Sequence, residues 1–386
     1  VTPPVRTALL GCGKVARIHA RAFASLAGSD FVAVCDPTLA KAEALARQYG
    51  VAAYTNLEAM IREAAPQMIS ICTPHPSHSD AVVRTAKHGV HAFVEKPLAA
   101  DLHGCDRAIA ACRRHGVKLG VVSQRRFYPP VIRLKAAIDA GKIGVPILAS
   151  VTLLGWRDQS YYTSDWWRGN WDTEGGGVLV NQAPHLLDLL LWLLGPVEKT
   201  FGFWDNFNHP DVPVDDTAVA AIRFKSGALG CLVVSNSQIP GLYGRIHVHG
   251  SNGASIGVQT ESGSSFIAGV STETAPPVND LWTIPGEEYL LPTWQSEDRE
   301  AAGANDPMNY YHERQIEDFL DAITHDRVPV VSGDDGRRVV ELFTAVYRSQ
   351  RDGRSVSFPL RAERRNDYDG RLNSAPLSRT ERMASS

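Results

Sequence analysis

Ala8-Leu9-Leu10-Gly11-Cys12-Gly13-Lys14-Val15-Ala16 decides the fold. An apolar run over residues 7–10 enters a GxGxxA turn and leaves as a helical pattern over 15–26. In such a βα unit the first glycine permits the tight turn. The second lets a pyrophosphate approach the backbone, and a small third residue lets the helix pack close to the sheet. Here those positions are Gly11, Gly13 and Ala16. The free amides and dipole at the helix start, around Lys14 and Val15, face the phosphates. A glycine turn alone is common. What strengthens this one is Phe31-Val-Ala-Val-Cys35, a β-branched run that ends at Asp36. An acidic residue there accepts hydrogen bonds from the adenosine ribose hydroxyls and repels a 2′-phosphate, so NAD is expected and NADP disfavoured. The plainer alternative is a structural turn with a capping aspartate.

Outward from the turn, strands and helices alternate. Residues 38–49 are rich in good helix formers and Gly50 stops them. Residues 68–72 and 91–94 read as strands with a helix between them, and 117–122 as another strand. That alternation predicts a doubly wound parallel sheet. The pattern changes after about residue 145. Residues 146–156 alternate like a long strand. Segments 218–224 and 228–235 flank Lys225-Ser226-Gly227, and 245–249 and 254–258 flank a second glycine-rich turn. The expected class is α/β: a Rossmann domain over 1–123, then an α+β domain over 124–361 on a large, mostly antiparallel open sheet. Two amphipathic segments, 310–324 and 334–349, close the fold, one of them returning to the first domain. The polar tail, 362–386, is expected to be disordered or to form an arm on a partner subunit.

Composition excludes several classes. With 386 residues, 44% hydrophobic and 21% charged, the chain can bury large cores. A net charge of −3 offers no global field for nucleic acid or anionic membrane. The greasiest run, 186–194, is short and carries Asp188, so it reads as a buried helix. The N-terminal residues lack the apolar core of a signal peptide, and the six cysteines form no CxxC pair, which points to reduced thiols in a cytoplasm.

Two further segments carry chemistry. Glu95-Lys96-Pro97 follows a strand, and Gly175-Gly176-Gly177-Val-Leu-Val-Asn181-Gln-Ala-Pro-His185-Leu-Leu-Asp188 opens the greasy helix. Combined with the glycine turn and Cys72-Thr73-Pro74-(x)3-His78, they resemble the Gfo/Idh/MocA oxidoreductases over about residues 5–360. The resemblance implies an NAD-dependent dehydrogenase of sugars, glycosides, nucleotide sugars or polyols, with C3 as one candidate carbon. It implies that Thr73, Pro74, His78, Glu95, Lys96 and Gln124 border the cofactor. It also implies a homodimer or homotetramer packed through the second sheet.

Elementary chemistry points the same way. Oxidising a secondary alcohol needs a proton acceptor and a cation beside the developing alkoxide. Lys96, at the carboxyl end of a strand, is placed to hold the oxygen, and His185 is the natural acid/base. Sugar and inositol dehydrogenases commonly carry an aspartate four residues before that histidine. Here it is Asn181, which is expected to hydrogen-bond the substrate instead. Arg126, in Gln124-Arg125-Arg126-Phe127-Tyr128, and the pair Trp167-Arg168, in a tryptophan-rich stretch, complete the expected substrate site. His247 and His249 share a strand face without further ligands, so no metal is expected. Two other functions fit the same motifs: an NAD-dependent glycosidase acting by transient oxidation and elimination, and a non-catalytic NAD or sugar sensor.

Overall fold

The computed structural model describes residues 3–239, 241–262, 276–363 and 368–372. The first domain is a six-stranded, all-parallel sheet in the order β3-β2-β1-β4-β5-β6. Its strands are β1 (Val5–Leu10), β2 (Ser29–Cys35), β3 (Ala52–Tyr54), β4 (Met68–Ile71), β5 (His91–Val94) and β6 (Leu119–Val121). The helices between them are α1 (Ala16–Ser25), α2 (Leu39–Tyr49), α3 (Leu57–Ala64), α4 (His78–Lys87) and α5 (Leu102–Arg114). The strands are continuous apolar runs because helices cover both faces: Ala8, Leu10, Ile69, Ile71 and Val94 lie in one core with α3, α4 and α5. Side-chain caps fix two helix starts. Asn56 accepts from the Ala59 amide and Asp101 from the Gly104 amide.

After α6 (Pro129–Asp139) comes β7 (Pro146–Leu154), the first strand of an eight-stranded sheet. The short helices α7 (Gln159–Thr163) and α8 (Val178–Asn181) precede α9 (Pro184–Leu194). Then follow β8 (Val197–Asp205), β9 (Thr217–Phe224), β10 (Leu229–Ser235), β11 (Tyr243–Gly250), β12 (Ser255–Ser262) and β13 (Val278–Trp282). Helices α10 (Leu290–Ala304), α11 (Pro307–Thr324) and α12 (Gly333–Asp352) come next, and β14 (Val356–Ser357) is last. The strand order is β13-β12-β11-β7-β10-β9-β8-β14. Only β7 and β10 run parallel; every other neighbouring pair is antiparallel. Both expected hairpins form, β9–β10 and β11–β12. Helices cover one sheet face. The other exposes Phe203, Val219, Leu229 and Val233.

Two expectations change. Both late helices, not one, pack against the first domain. On α11, Ile316, Phe319 and Leu320 join Ala22 and Phe23 of α1 in one cluster. Helix α12 touches α5 and β6 on one side and β8 on the other. Its buried run from Val339 to Ser349 goes around most of the helix, as a helix between two layers requires. The tail also differs. Residues 364–367 and 373–386 lie outside the described residues, but 368–372 pack onto the chain itself. Arg371 is fully buried, donating to Gly175 O (2.5 Å), Ala100 O (2.7 Å) and Thr344 Oγ1 (3.1 Å). Its guanidinium lies 4.9 Å from the Phe343 ring centre. Among the described residues no helix is long and apolar enough to cross a membrane.

Candidate active site

The glycine turn joins β1 to α1 at the carboxyl edge of the parallel sheet. Gly11 has φ +92°, and a Cβ there would stand 2.7 Å from Cys72 O, so only glycine lets the turn cross the end of β4. Gly13 faces open space, with Lys14 exposed beside it and Ala16 fully buried under the helix. Asp36 serves the turn directly. Its Oδ2 accepts from the Cys12 amide (2.9 Å) and its Oδ1 from the Thr38 amide (2.8 Å). Each oxygen retains a lone pair, so capping and ribose binding are compatible. Two more polar atoms of this edge, Thr73 Oγ1 and Gln124 Oε1, are buried without a partner. An open glycine cradle, a free helix N-terminus and orphaned acceptors fit a dinucleotide.

Other residues expected beside the cofactor also hold the loops of this edge in place. The His78 ring bridges Pro97 O (2.7 Å) and Thr73 O (2.8 Å), next to Pro74, tying the loops after β4 and β5 together. Glu95 is turned inward. It pairs with buried His19 (2.9 Å) and accepts from the Lys96 amide (3.1 Å), so its carboxylate anchors the strand end. Burial opposes both charges of this pair, yet their contact, with help from Cys72 and Lys96, holds His19 above and Glu95 below their usual values. His312 of α11 stands close enough that His19, Glu95 and His312 bring ligand-type atoms within 4.8 Å. Glu95 and Ser70 Oγ already take both His19 nitrogens, and His312 of the second domain packs edge-on to the His19 ring (5.8 Å between ring centres), so the trio joins the domains.

Lys96 leaves β5 and reaches across to the second domain. Its Nζ donates to Asn181 O (2.7 Å) and Asn181 Oδ1 (3.1 Å). Burial lowers its pKa to about 8, with Arg168 and Arg125 adding to the effect and Glu95 and Glu174 opposing it. Asn181 thus meets the lysine rather than standing alone in the pocket. It ends α8, whose start is fixed by Asp215: this carboxylate accepts from Gly177 N (2.6 Å), Leu179 N (3.1 Å) and Tyr347 Oη (2.6 Å). A Cβ on Gly177 would sit 1.8 Å from Asp215 O, which explains why the turn is glycine there.

His185 stands in the first turn of α9, after Pro184, so it and Asn181 belong to different helices. Its Nδ1 is buried without a partner. Burial, then the nearby charges of Arg125, Lys96 and His312, push its pKa well below the usual value, so the ring is neutral. Arg126, expected to meet substrate, does not. It grips Asp188 with two bonds (Nε–Oδ2 2.7 Å, Nη2–Oδ1 2.6 Å) and donates to Val330 O (3.0 Å). Its neighbour Arg125 stands near His185 instead, where its charge acts on the ring. Adjacent arginines in a 3₁₀ turn point in different directions, and sequence does not say which way the turn begins.

Trp167 and Arg168 are brought to the site by residues the motifs did not flag. The Trp167 ring lies 4.5 Å from that of His75, and the Arg168 guanidinium 4.3 Å from the Trp167 ring centre. Arg168 also donates to Tyr161 Oη (2.8 Å). His75 is buried with an unpartnered Nδ1 and is neutral, pushed down by burial and by Lys96. Glu174, immediately before the triple glycine, is also buried against Asn181. Of the other tryptophans, Trp171 and Trp204 pack around Tyr347, and Trp166 is exposed.

Comparison with known proteins agrees with this geometry. Residues 5–123 match the model of an oxidoreductase family with an NAD-binding Rossmann fold, and residues 131–256 match the GFO/IDH/MocA C-terminal domain. The chain is 29% identical to an inositol 2-dehydrogenase of Rhizobium meliloti over 357 residues, covering 92% of this chain and 99% of that protein. It is 25% identical to a D-glucoside 3-dehydrogenase of Escherichia coli over 379 residues, 92% of this chain and 97% of that one. Among solved structures, the WlbA dehydrogenase of Bordetella pertussis, in complex with NADH and UDP-GlcNAcA, superposes with a TM-score of 0.82 at 27% identity. That match covers 94% of this chain and 99% of the other.

Proposed function

This chain belongs to the GFO/IDH/MocA family as an NAD-dependent dehydrogenase acting on CH–OH groups, and on that premise we propose that it oxidises a secondary hydroxyl of a glycoside or nucleotide sugar, at C3. The observation that carries the proposal is the placement of Lys96 Nζ, held by two oxygens of Asn181 and close enough in charge to depress the neutral ring of His185. The choice of C3 is supported by the glucoside 3-dehydrogenase relative, and a nucleotide sugar by the WlbA complex.

NAD+ seated on the glycine turn supplies the hydride acceptor. The chain's own residues handle the proton and the oxygen. Two N–H groups of Lys96 are spent on Asn181, and the third turns to the substrate oxygen, where the ammonium stabilises charge as the hydroxyl loses its proton. His185 accepts that proton; in the reducing direction it returns it. Trp167 offers an apolar face to the sugar ring, and Arg168 a donor to its polar groups. Packing of α9 on the sheet and on α12, and the hold of Asp215 on the triple-glycine turn, keep these groups on rigid elements.

The test is NAD+ reduction over a panel of monosaccharides, inositols, glycosides and nucleotide sugars. Stoichiometric NADH with a glycoside or nucleotide sugar, and a 3-keto product by NMR, is the expected result. Turnover with inositols alone would overturn the substrate assignment. Glycoside cleavage without net NADH would identify a hydrolase that recycles its cofactor.

A further inference from the structure

Glu174 has no role in the chemistry described so far, yet it is 1% exposed and faces the catalytic group from behind. Its Oε1 accepts from Asn181 Nδ2 and its Oε2 from the Gly169 amide (2.6 Å). Two donors converge on one carboxyl, so both oxygens must act as acceptors. A carboxylate satisfies that pattern with both oxygens; an amide would turn a donor toward a donor. The same contact decides which way Asn181 faces. With Nδ2 held by Glu174, Oδ1 points at Lys96 Nζ. If the amide turned over, its NH2 would confront the ammonium.

The charges around Lys96 make the second half of the case. Two are negative, Glu95 and Glu174; Arg125 and Arg168 are positive. Glu95 is the larger of the two negative influences on Lys96 and is also paired with His19; Glu174 adds to it. Of the histidines that also face Lys96, His75 and His185 are pushed well down by burial and stay neutral, while burial lowers His78 against two carbonyl contacts that favour its charged form. Glu174 itself is faced by Arg168, the Gly169 amide, Asn181 and Lys96.

We propose that Glu174 is the positioning residue of this site: through Asn181 it aims the amide oxygen at Lys96, and its charge keeps Lys96 an ammonium. The Asn181 position, which carries an aspartate in many sugar and inositol dehydrogenases, is therefore not left without an acid here; the acid stands one residue behind the amide. Burial raises Glu174 to about 7 and lowers Lys96 to about 8, so both charges coexist in a narrow range around neutral pH. The proposal deepens the dehydrogenase reading and rests on it only for its kinetic consequence.

The deciding experiment titrates Lys96 directly, on the full chain with NAD+ present. Trace acetylation by acetic anhydride is run across pH, and the Lys96 peptide is quantified by mass spectrometry. In the wild type the reactivity midpoint lies near pH 8. In Glu174→Gln it falls by roughly one pH unit, because an anion close to a buried ammonium is removed. Glu174→Asp, with its carboxylate drawn back, shifts it the same way by about half as much. It carries the test if the glutamine variant does not fold. An unchanged or raised midpoint in the folded variant overturns the proposal, since a purely structural side chain would leave the titration alone. The kinetic arm should follow: the alkaline fall of kcat moves to lower pH in Glu174→Gln while KM changes little. If the wild type reduces NAD+ with no carbohydrate, the substrate reading fails, while the titration still decides the role of Glu174.

Discussion

Lys96 is the residue on which most of the chemistry converges. Lys96→Met keeps much of the side-chain volume and removes the charge. A loss of roughly 10²–10³-fold in kcat is expected, the scale seen when one donor to a developing oxyanion is deleted, with NAD+ affinity little changed. Steady-state NAD+ reduction and cofactor titration check it, and persistent turnover would remove Lys96 from its role. The pH profile has a definite sign. The proposed oxidation requires a charged Lys96 and a neutral His185. Activity therefore falls as pH rises through about 8; His185 sets no acidic limb, because it protonates only well below its usual value, and a fall below about 7 reports the protonation of Glu174. At the cofactor end, Asp36→Ala is expected to weaken NAD(H) by roughly tenfold or more, the worth of a charge-assisted hydrogen bond. NADP(H) should lose less. Both dinucleotides lose whatever shape Asp36 gives the turn through Cys12 and Thr38, so only the difference between them reports on the ribose. Equal losses would leave Asp36 as a cap.

Helix α9 carries His185 at its start and Asp188 one turn later. The grip of Arg126 on Asp188, reinforced by Ser123 Oγ, locks that helix to the turn that carries Arg125. Both partners are almost fully buried, and without Asp188 the guanidinium keeps only the longer contact to Asp335 (3.4 Å) and its bond to Val330 O. Asp188→Asn is expected to cost about 3–5 kcal/mol, whereas joint replacement by apolar residues of similar size should recover much of it. Thermal or denaturant unfolding of single and double variants checks this. How much of these elements could be read in sequence follows from what fixes them. Strands β1, β2, β4 and β5 and helix α9 announce themselves, because burial on every side demands unbroken apolar runs. Strand β8 and helix α10 were not anticipated, although β8 alternates in burial much as β7 does; α10 has almost no buried face to mark it. In the site, Lys96, Asn181 and His185 were legible from motif spacing. Glu174, His75 and Arg125 were not: Glu174, though near Asn181 and Gly169 in sequence, carries no motif of its own, and His75 and Arg125 meet Trp167 and His185 only across long stretches of chain. Arg126 was misplaced for the same reason: its mate, Asp188, is 62 residues away.

At the scale of the whole molecule, the uncovered face of the eight-stranded sheet stands out. Phe203 pairs with Val219, and Val219 with Val233, across three adjacent strands, and all three side chains are exposed. A face of this kind needs a cover. Val219→Lys is expected to shift the protein from an oligomer to a smaller species in sedimentation velocity, without lowering its thermal stability by more than about 1 kcal/mol. A wild type already monomeric would show that the patch serves another purpose. The two domains meet through α11, α12 and the His19–Glu95–His312 joint, so the cofactor edge and the sugar edge are held by one continuous body. The last piece of that body is Arg371, whose guanidinium closes over Gly175 O and Ala100 O. The ribosome makes it after every group it touches. Until synthesis has passed residue 371, the triple-glycine turn lacks its clasp, so a nascent or prematurely terminated chain has all its chemical groups and no finished place to use them.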